Sequence, residues 1–184
     1  MTVTDMLDTI SEELRKIFRG YSLQNKLGVM QEVRIFQQYI PQPAGITVTD
    51  RLSGVANYTE SDYERNFPGI VVKLGDITDS DDRRLEVNNT GLRLLFGVYD
   101  DSPDGEGWRD VAGMMEKVRF EWLKDRIIAG KFRIILPITT RLLDDTYPVY
   151  FGEMTCGVET GIPRRPRDFV YGIPPNAPPY EYRP

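Results

Sequence analysis

Residues 92–123 read LRLLFGVY, DDSPDGEG and WRDVAGMMEKVRFEWL in three consecutive blocks. The nearly continuous apolar run 92–99 is typical of a central strand that is covered on both faces. The acidic block 100–107 predicts a turn, and its carboxylates suit the N-terminus of a following helix. A helix is predicted over 107–127, because large apolar residues recur along one stripe of it: Trp108, Val111, Met115, Val118, Trp122 and Leu123.

Strand-like segments flank this block on both sides. Runs rich in β-branched and aromatic residues predict strands over 32–40, 70–74, 83–87, 132–136, 138–143 and 147–158. Prolines should limit two of them. Pro41 and Pro43 are expected to end the first strand, and Pro137 is expected to separate 132–136 from 138–143.

The sequence also predicts several of the connections between these strands. Residues 76–82 predict an exposed acidic turn, and 88–91 predict either a bulge or a tight turn. The polar stretch 44–66 predicts a long loop, with a short hairpin over 46–48 and 52–55 as the alternative.

An amphipathic helix is predicted at the start of the chain, over 3–19. Its apolar residues fall on one face at spacings of four and three, with Thr2 or Thr4 as cap and Gly20 as the stop: Val3, Leu7, Ile10, Leu14 and Ile17. Such a helix is expected to lie on a sheet.

The sequence therefore predicts an α+β fold. We expect a mostly antiparallel sheet of roughly four to six strands, packed by the N-terminal helix and a second helix. Residues 1–161 are predicted to form one domain. Residues 162–184 contain seven prolines and predict an extended arm without a core of its own.

Composition excludes several classes of function. The 184-residue chain contains no histidine, so a Ser–His or Cys–His pair cannot form, and the single Cys156 excludes an internal disulfide. The net charge of −5 argues against tight wrapping of nucleic acid. It is unevenly distributed, since residues 163–184 carry four Arg against one Asp and one Glu, or +2, which leaves −7 for the rest. No membrane-spanning run and no secretory signal is predicted.

Two aspartate clusters are candidate metal sites. Asp100, Ser102, Asp104 and Gly105 match four positions of a calcium-binding loop, but Val111 occupies the position that needs a bidentate Glu. The carboxylates of 79–82 suit Mg²⁺, although nothing beside them supplies a phosphate cradle. We therefore predict no catalytic residue, no cofactor and no metal site, and keep a metal-dependent enzyme using the Asp clusters as the alternative of a different class.

Five short stretches, taken in order, carry a resemblance to a known family. They are FPGIVVKL (67–74), LRLLFGVY (92–99), EGWRDVA (106–112), RIILPI (133–138) and YPVYF (147–151). Over about residues 3–160, this order resembles the tail-terminator proteins of long-tailed bacteriophages of the siphovirus and myovirus type.

The resemblance implies an α/β sandwich that assembles as a ring of six copies. Such a ring caps the completed tail tube, stops its polymerisation and presents a surface for joining the head. The partners implied are further copies of the chain, the tail-tube protein and a head-completion or connector protein. DNA would pass through the lumen without sequence-specific binding, and the ring would be assembled in the host cytoplasm and end in the virion at the head-proximal end of the tail.

Two groups of contact residues are predicted on this basis. The acidic turn and the arginines after it are candidates for contact with the tube: Asp76, Asp79, Asp81, Asp82, Arg83 and Arg84. The arm supplies candidates for contact between subunits: Arg164, Arg165, Arg167, Phe169, Tyr171 and Tyr180. The long 41–66 loop and the arm depart from the family pattern, so a neck or tail-completion protein, or a tail-tube subunit, remain alternatives.

Overall fold

The structure, a computed structural model, describes residues 2–41, 64–82, 85–144 and 147–161. Two helices and eight strands lie in these ranges, which confirms the predicted α+β fold. In chain order they are α1 Val3–Ile17, β1 Ser22–Gln24, β2 Met30–Glu32, β3 Arg34–Gln37, β4 Gly69–Asp82, β5 Leu85–Tyr99, α2 Gly107–Lys124, β6 Ile127–Ile128, β7 Phe132–Leu142 and β8 Val149–Gly161.

Six strands form one mixed sheet in the order β3-β4-β5-β8-β7-β6, while β1 and β2 pair separately. β3 runs parallel to β4, and the other neighbours in this sheet are antiparallel. The long β5 lies at the centre, where it pairs with β8 from Val87↔Gly161 to Tyr99↔Val149. The prediction of a mostly antiparallel sheet is confirmed.

Helix α1 begins with a reciprocal cap at Thr2. The Thr2 hydroxyl accepts from the Asp5 backbone N–H at 3.2 Å, and the Asp5 carboxylate accepts from the Thr2 N–H at 2.9 Å. These hydrogen bonds lower the pKa of Asp5. The predicted apolar face packs on the sheet, and the buried residues of the helix are Met6, Leu7, Ile10, Ser11 and Leu14.

Helix α2 buries Val111, Met115, Val118 and Trp122 as predicted, but Trp108 is 44% exposed. The placement of Trp108 on the buried stripe is therefore wrong. In the first turn it is Gly107 that faces the sheet, because its Cα lies against the Tyr150 ring, where a Cβ would come within 2.5 Å of Tyr150 Cδ2. The Trp108 ring instead lies beside the Arg109 guanidinium, 5.4 Å from the ring centroid. Leu123 is 43% exposed, so its predicted place on the buried stripe is also wrong.

The predicted acidic turn over 76–82 is wrong, because these residues continue strand β4. Their backbone pairs with β5 as far as Asp82↔Leu85. The ladder extends because β8 also continues to Gly161 and supports β5 from its other side. Ladder hydrogen bonds come from the main chain, so polar side chains do not end a strand that has such support.

The predicted irregularity at 88–91 is a bulge. Leu74 pairs with Leu92 and Ile77 pairs with Thr90, so the extra residue belongs to β4.

Two other strand boundaries differ from prediction. The strand expected over 32–40 is divided at the buried Val33 and ends at Gln37, because the next residue, Gln38, has a φ of 60° that turns the chain before Pro41. The two strands expected around Pro137 are one strand, β7, with a register shift between Ile135 and Thr139. The loop and the alternative hairpin proposed within 44–66 lie mostly outside the described residues.

The core lies between the helices and one face of the sheet. Leu92, Leu94, Phe96 and Val98 of β5 point to the helices and are buried, whereas Arg93 on the other face is exposed. Strand β5 is therefore central within the sheet but has helices on one face only, contrary to the predicted coverage of both. The second face of the sheet becomes a candidate interaction surface.

Candidate assembly surfaces

The predicted tube-contact residues lie along β4 and at its end. Asp76 is exposed beside the bulge, and the backbones of Asp79, Asp81 and Asp82 pair with Asn88, Glu86 and Leu85. Arg83 and Arg84 lie outside the described residues. Strand β3 covers β4 only from Gly69 to Val72, so within the described ranges the outer edge of β4 has no strand partner beyond that point.

The six inter-subunit candidates lie outside the described residues: Arg164, Arg165, Arg167, Phe169, Tyr171 and Tyr180. The structure describes the chain as far as Gly161. This residue pairs with Val87, near the β4–β5 connection. The arm therefore leaves the domain at the same end of the sheet as the predicted tube contacts.

The sheet surface away from the helices forms what we call the open sheet face. Cross-strand pairing aligns Phe36, Val71, Leu95, Glu153 and Arg141 in one row across five strands. Because side chains alternate along each strand, residues two positions away belong to the same face. By register it includes Arg34, Phe36, Val71, Lys73, Asp82, Asn89, Arg93, Leu95, Tyr99, Arg133, Ile135, Thr139, Arg141, Phe151, Glu153, Thr155 and Glu159.

An ionic cluster lies near the centre of this face. The Glu153 side chain is only 7% exposed and contacts Arg93 Nε and Arg141. Arg141 Nε donates to Glu153 Oε2 at 2.5 Å. The two arginine side chains are 46% and 64% exposed, so they cover the carboxylate and present guanidinium groups to solvent. A buried carboxylate with two charged donors is held in one geometry.

Aromatic side chains close one end of the open sheet face. Phe67 and Phe151 pack edge to face with ring centroids 5.4 Å apart. They lie over Gly97, where an added Cβ would overlap the Phe67 ring. The absence of a side chain at Gly97 thus lets Phe67 reach the sheet and become 1% exposed.

The connection from β5 to α2, residues 100–106, forms what we call the acidic loop. It carries Asp100, Asp101, Asp104 and Glu106. The Asp100 carboxylate accepts from the Ser102 N–H at 2.9 Å, and the Gly105 N–H donates to the Ser102 carbonyl at 3.3 Å. Asp100 therefore holds a turn in this structure. Within the described ranges, no three His, Cys, Asp or Glu side chains are grouped so as to hold a metal ion.

The acidic loop makes this end of the sheet electronegative. Burial raises the pKa of Tyr150, and the charge of Asp100 adds to the shift. The pKa of Tyr99 is raised by burial and by Asp101, and that of Asp110 by burial and by Asp100. Burial is the main cause of all three pKa shifts, and aspartates of the acidic loop add to each of them.

Cys156 is a buried thiol on the helix-facing side of β8. Burial raises its pKa to about 12. Since the thiolate is the reactive form, the side chain is suited to packing rather than to nucleophilic chemistry.

The outer surface of α2 carries a shallow hollow between Phe120 and Leu123, walled by charged side chains. Neither described helix combines the length and apolarity that crossing a membrane requires.

Sequence reasoning missed the ionic cluster. A signal for it was present, because Arg93 and Glu153 are single charges inside otherwise apolar strand segments. Opposite charges placed this way indicate a cross-strand pair, but the partner strand must be known. The pairing of β5 with β8, which joins residues at least 50 positions apart in the chain, supplies that information.

Comparison with protein-family models finds no match to this chain, and comparison with curated protein sequences finds none either.

Proposed function

We propose that this chain is a structural, non-enzymatic virion protein that caps the completed tail tube of a long-tailed phage as a ring. In this role it stops tube polymerisation and provides the surface that joins the head. The proposal rests on the ordered resemblance of its strand and helix segments to tail-terminator proteins. The observation that supports it best is the one-sided packing of the sheet.

Both helices lie on one face. No described helix covers the other face, where Phe67 packs over Gly97 at one end while Arg93, Thr139 and Arg141 are exposed. That face carries half-buried apolar residues, Phe36, Leu95 and Phe151, beside the Glu153 cluster. A sheet face with packed aromatic residues is suited to burial against another chain. A subunit of a closed assembly needs such surfaces, because each copy must contact its neighbours as well as the tube and the head.

The β4–β5 hairpin is the proposed contact with the tube. Its β4 edge combines main-chain groups that no described strand pairs with four aspartates between Asp76 and Asp82. Charges on an edge strand discourage indiscriminate pairing and leave a specific partner to supply the complementary charge. A neck or tail-completion protein acting at the same junction remains the second candidate.

A triple variant tests the tube contact. Replacing Asp79, Asp81 and Asp82 by Ala should change the free energy of unfolding by no more than about 0.5 kcal/mol per site, because the main-chain pairing with β5 does not depend on these side chains. Capping should weaken, which is measured as longer, irregular tails when the variant complements a terminator-deficient phage. The matched control is Asp8→Ala/Glu12→Ala/Glu116→Ala on the helices. Tails of normal, uniform length with the β4 variant would argue against this assignment.

A further inference from the structure

We propose that the open sheet face of one copy binds the acidic loop, residues 100–106, of a second copy. This deepens the ring function proposed above and rests on it. It assigns the contact between neighbours to two described surfaces.

The open sheet face is basic although the whole chain has a net charge of −5. By register, five basic positions oppose three acidic positions on it: Arg34, Lys73, Arg93, Arg133 and Arg141 against Asp82, Glu153 and Glu159. One of these carboxylates, Glu153, is 7% exposed, so a partner approaching the face meets guanidinium and ammonium groups first. The chemistry of the face therefore favours an anionic partner.

The acidic loop has the opposite character. It carries four carboxylates in seven residues and no Lys or Arg. The nearest following cation, Arg109, pairs with Glu106 at 3.1 Å, which leaves Asp101 and Asp104 as exposed carboxylates at the tip. These two side chains are the natural partners of the arginines and the lysine on the open sheet face.

The loop is also held in one conformation before any partner arrives. The Asp100–Ser102 turn fixes its start, and Gly105 adopts a φ of 65° that most residues avoid. The hydroxyl of Tyr147 donates to the carbonyl of Asp101 at 3.3 Å. A loop that is already ordered loses little conformational entropy on binding, so a modest number of contacts is enough.

Aromatic side chains accompany the charges on both surfaces. Tyr147 is 63% exposed and Trp108 44% exposed beside the acidic loop. Phe36 and Phe151 are half-buried on the open sheet face. Interfaces gain most of their affinity from aromatic anchors of this kind, and charges add orientation and specificity.

The two surfaces are different and lie at different places on one copy. Contact between them is therefore heterologous, and repetition of the same contact closes a ring when the rotation between copies allows it. Nucleic acid is also an anion, but the acidic loop gives the face a complementary partner within the same chain. We accordingly assign the face to a second copy and treat DNA binding as an outcome of the test.

A charge-exchange experiment on the full chain tests the assignment. One variant reverses the face, Arg34→Glu/Lys73→Glu, and the other reverses the loop, Asp101→Lys/Asp104→Lys. Each alone should weaken self-association, measured by light scattering at about 50 mM salt, by at least about tenfold, or about 1.4 kcal/mol. The protein carrying all four substitutions should recover to within about threefold of the natural chain, because the charges are opposite again. Recovery is the decisive result.

Matched controls place equal charge changes on the helices: Arg15→Glu/Arg119→Glu and Glu12→Lys/Glu116→Lys. Circular dichroism and melting curves establish that each variant is folded. The proposal is overturned if the controls weaken association equally, if neither test variant does, or if the fourfold variant fails to recover. It is also overturned if the face variant loses only affinity for a duplex oligonucleotide while self-association is unchanged.

Tail length in complemented phage separates this inference from the proposed function. Normal capping together with failed charge exchange rejects the interface alone. Successful charge exchange without any effect on tail length keeps the interface and rejects the terminator role.

Discussion

At the scale of single residues, Glu153 is the least replaceable charge in the described part of the chain. Its carboxylate is almost fully covered and contacts both Arg93 and Arg141. Glu153→Ala would leave two guanidinium groups facing each other without an anion between them. Because both are partly solvated, we expect the free energy of unfolding to fall by about 1–3 kcal/mol. Urea denaturation followed by circular dichroism measures this change.

Glu159 provides the matched control on the same strand and face. Its contact with Arg133 is 4.0 Å long and its side chain is 28% exposed. Glu159→Ala should therefore cost less than about 1 kcal/mol. If the two variants lose equal stability, the covered position of Glu153 has no special energetic role.

Cys156 gives a second prediction at this scale. Burial raises its thiol pKa to about 12, so at pH 8 the folded protein holds almost no thiolate there. We expect no reaction with Ellman's reagent in the native state and one thiol per chain in denaturant. A Glu116→Cys variant, whose added thiol lies at an exposed position of α2 outside the proposed interfaces, should react natively with one equivalent. Fast native reaction of the unsubstituted protein would contradict the buried placement.

At the scale of elements, helix α2 carries one buried and one exposed tryptophan, so the stability effects of replacing them can be compared directly. Trp122 is 2% exposed in the core, and Trp108 is 44% exposed in the first turn. Trp122→Ala should lower the free energy of unfolding by about 3–5 kcal/mol, because a large cavity would remain. Trp108→Ala should change it by no more than about 0.5 kcal/mol. Thermal melting of the two variants side by side measures the difference, and equal losses would contradict the orientation of the helix.

The elements also show what local sequence can predict. The apolar periodicity of α1 and α2 depends on neighbours three and four residues away, and both helices were predicted to within a few residues. Periodicity misplaces Trp108 because it does not reveal which position of the first turn packs on the sheet. The space beside Tyr150, which only Gly107 fits, exists because of tertiary packing.

Strand ends and the candidate surfaces required non-local information. Asp76–Asp82 resemble a turn, yet β5 and β8 support them as a strand. The open sheet face assembles residues from five strands, which lie far apart along the chain. The acidic character of 100–107 is visible in the sequence, because its four carboxylates lie within seven consecutive residues. The basic residues of the open sheet face come from separate strands, so the sequence alone does not bring them together.

At the scale of the whole molecule, charge and packing are both asymmetric. The helices cover one side, the open sheet face on the other side has more basic than acidic residues, and the acidic loop is at the end of the sheet where β5 meets α2. The arm starts at the opposite end, next to Val87. In the proposed ring, this arrangement would give a neighbouring copy and the tube separate surfaces on the domain.

The arm is predicted to add a strap between neighbours. The arm, 162–184, has 23 residues. At about 3.1 Å per residue, an extended proline-rich chain of this length spans about 70 Å, which is enough to reach another copy. Its seven prolines restrict the free chain, so docking costs less entropy than for a Gly/Ser segment. Deleting 162–184 should therefore shift rings toward monomers in light scattering, with the melting temperature of the domain unchanged.

The aromatic residues of the arm should contribute most of this binding, since exposed ion pairs contribute only about 0–1 kcal/mol each. Replacing Phe169, Tyr171 and Tyr180 by Ala should thus reproduce the deletion more closely than replacing the three arginines does. If the truncated chain keeps the full-length oligomer at low micromolar concentration, the arm does not join neighbours, and contact with the head becomes the better assignment for it.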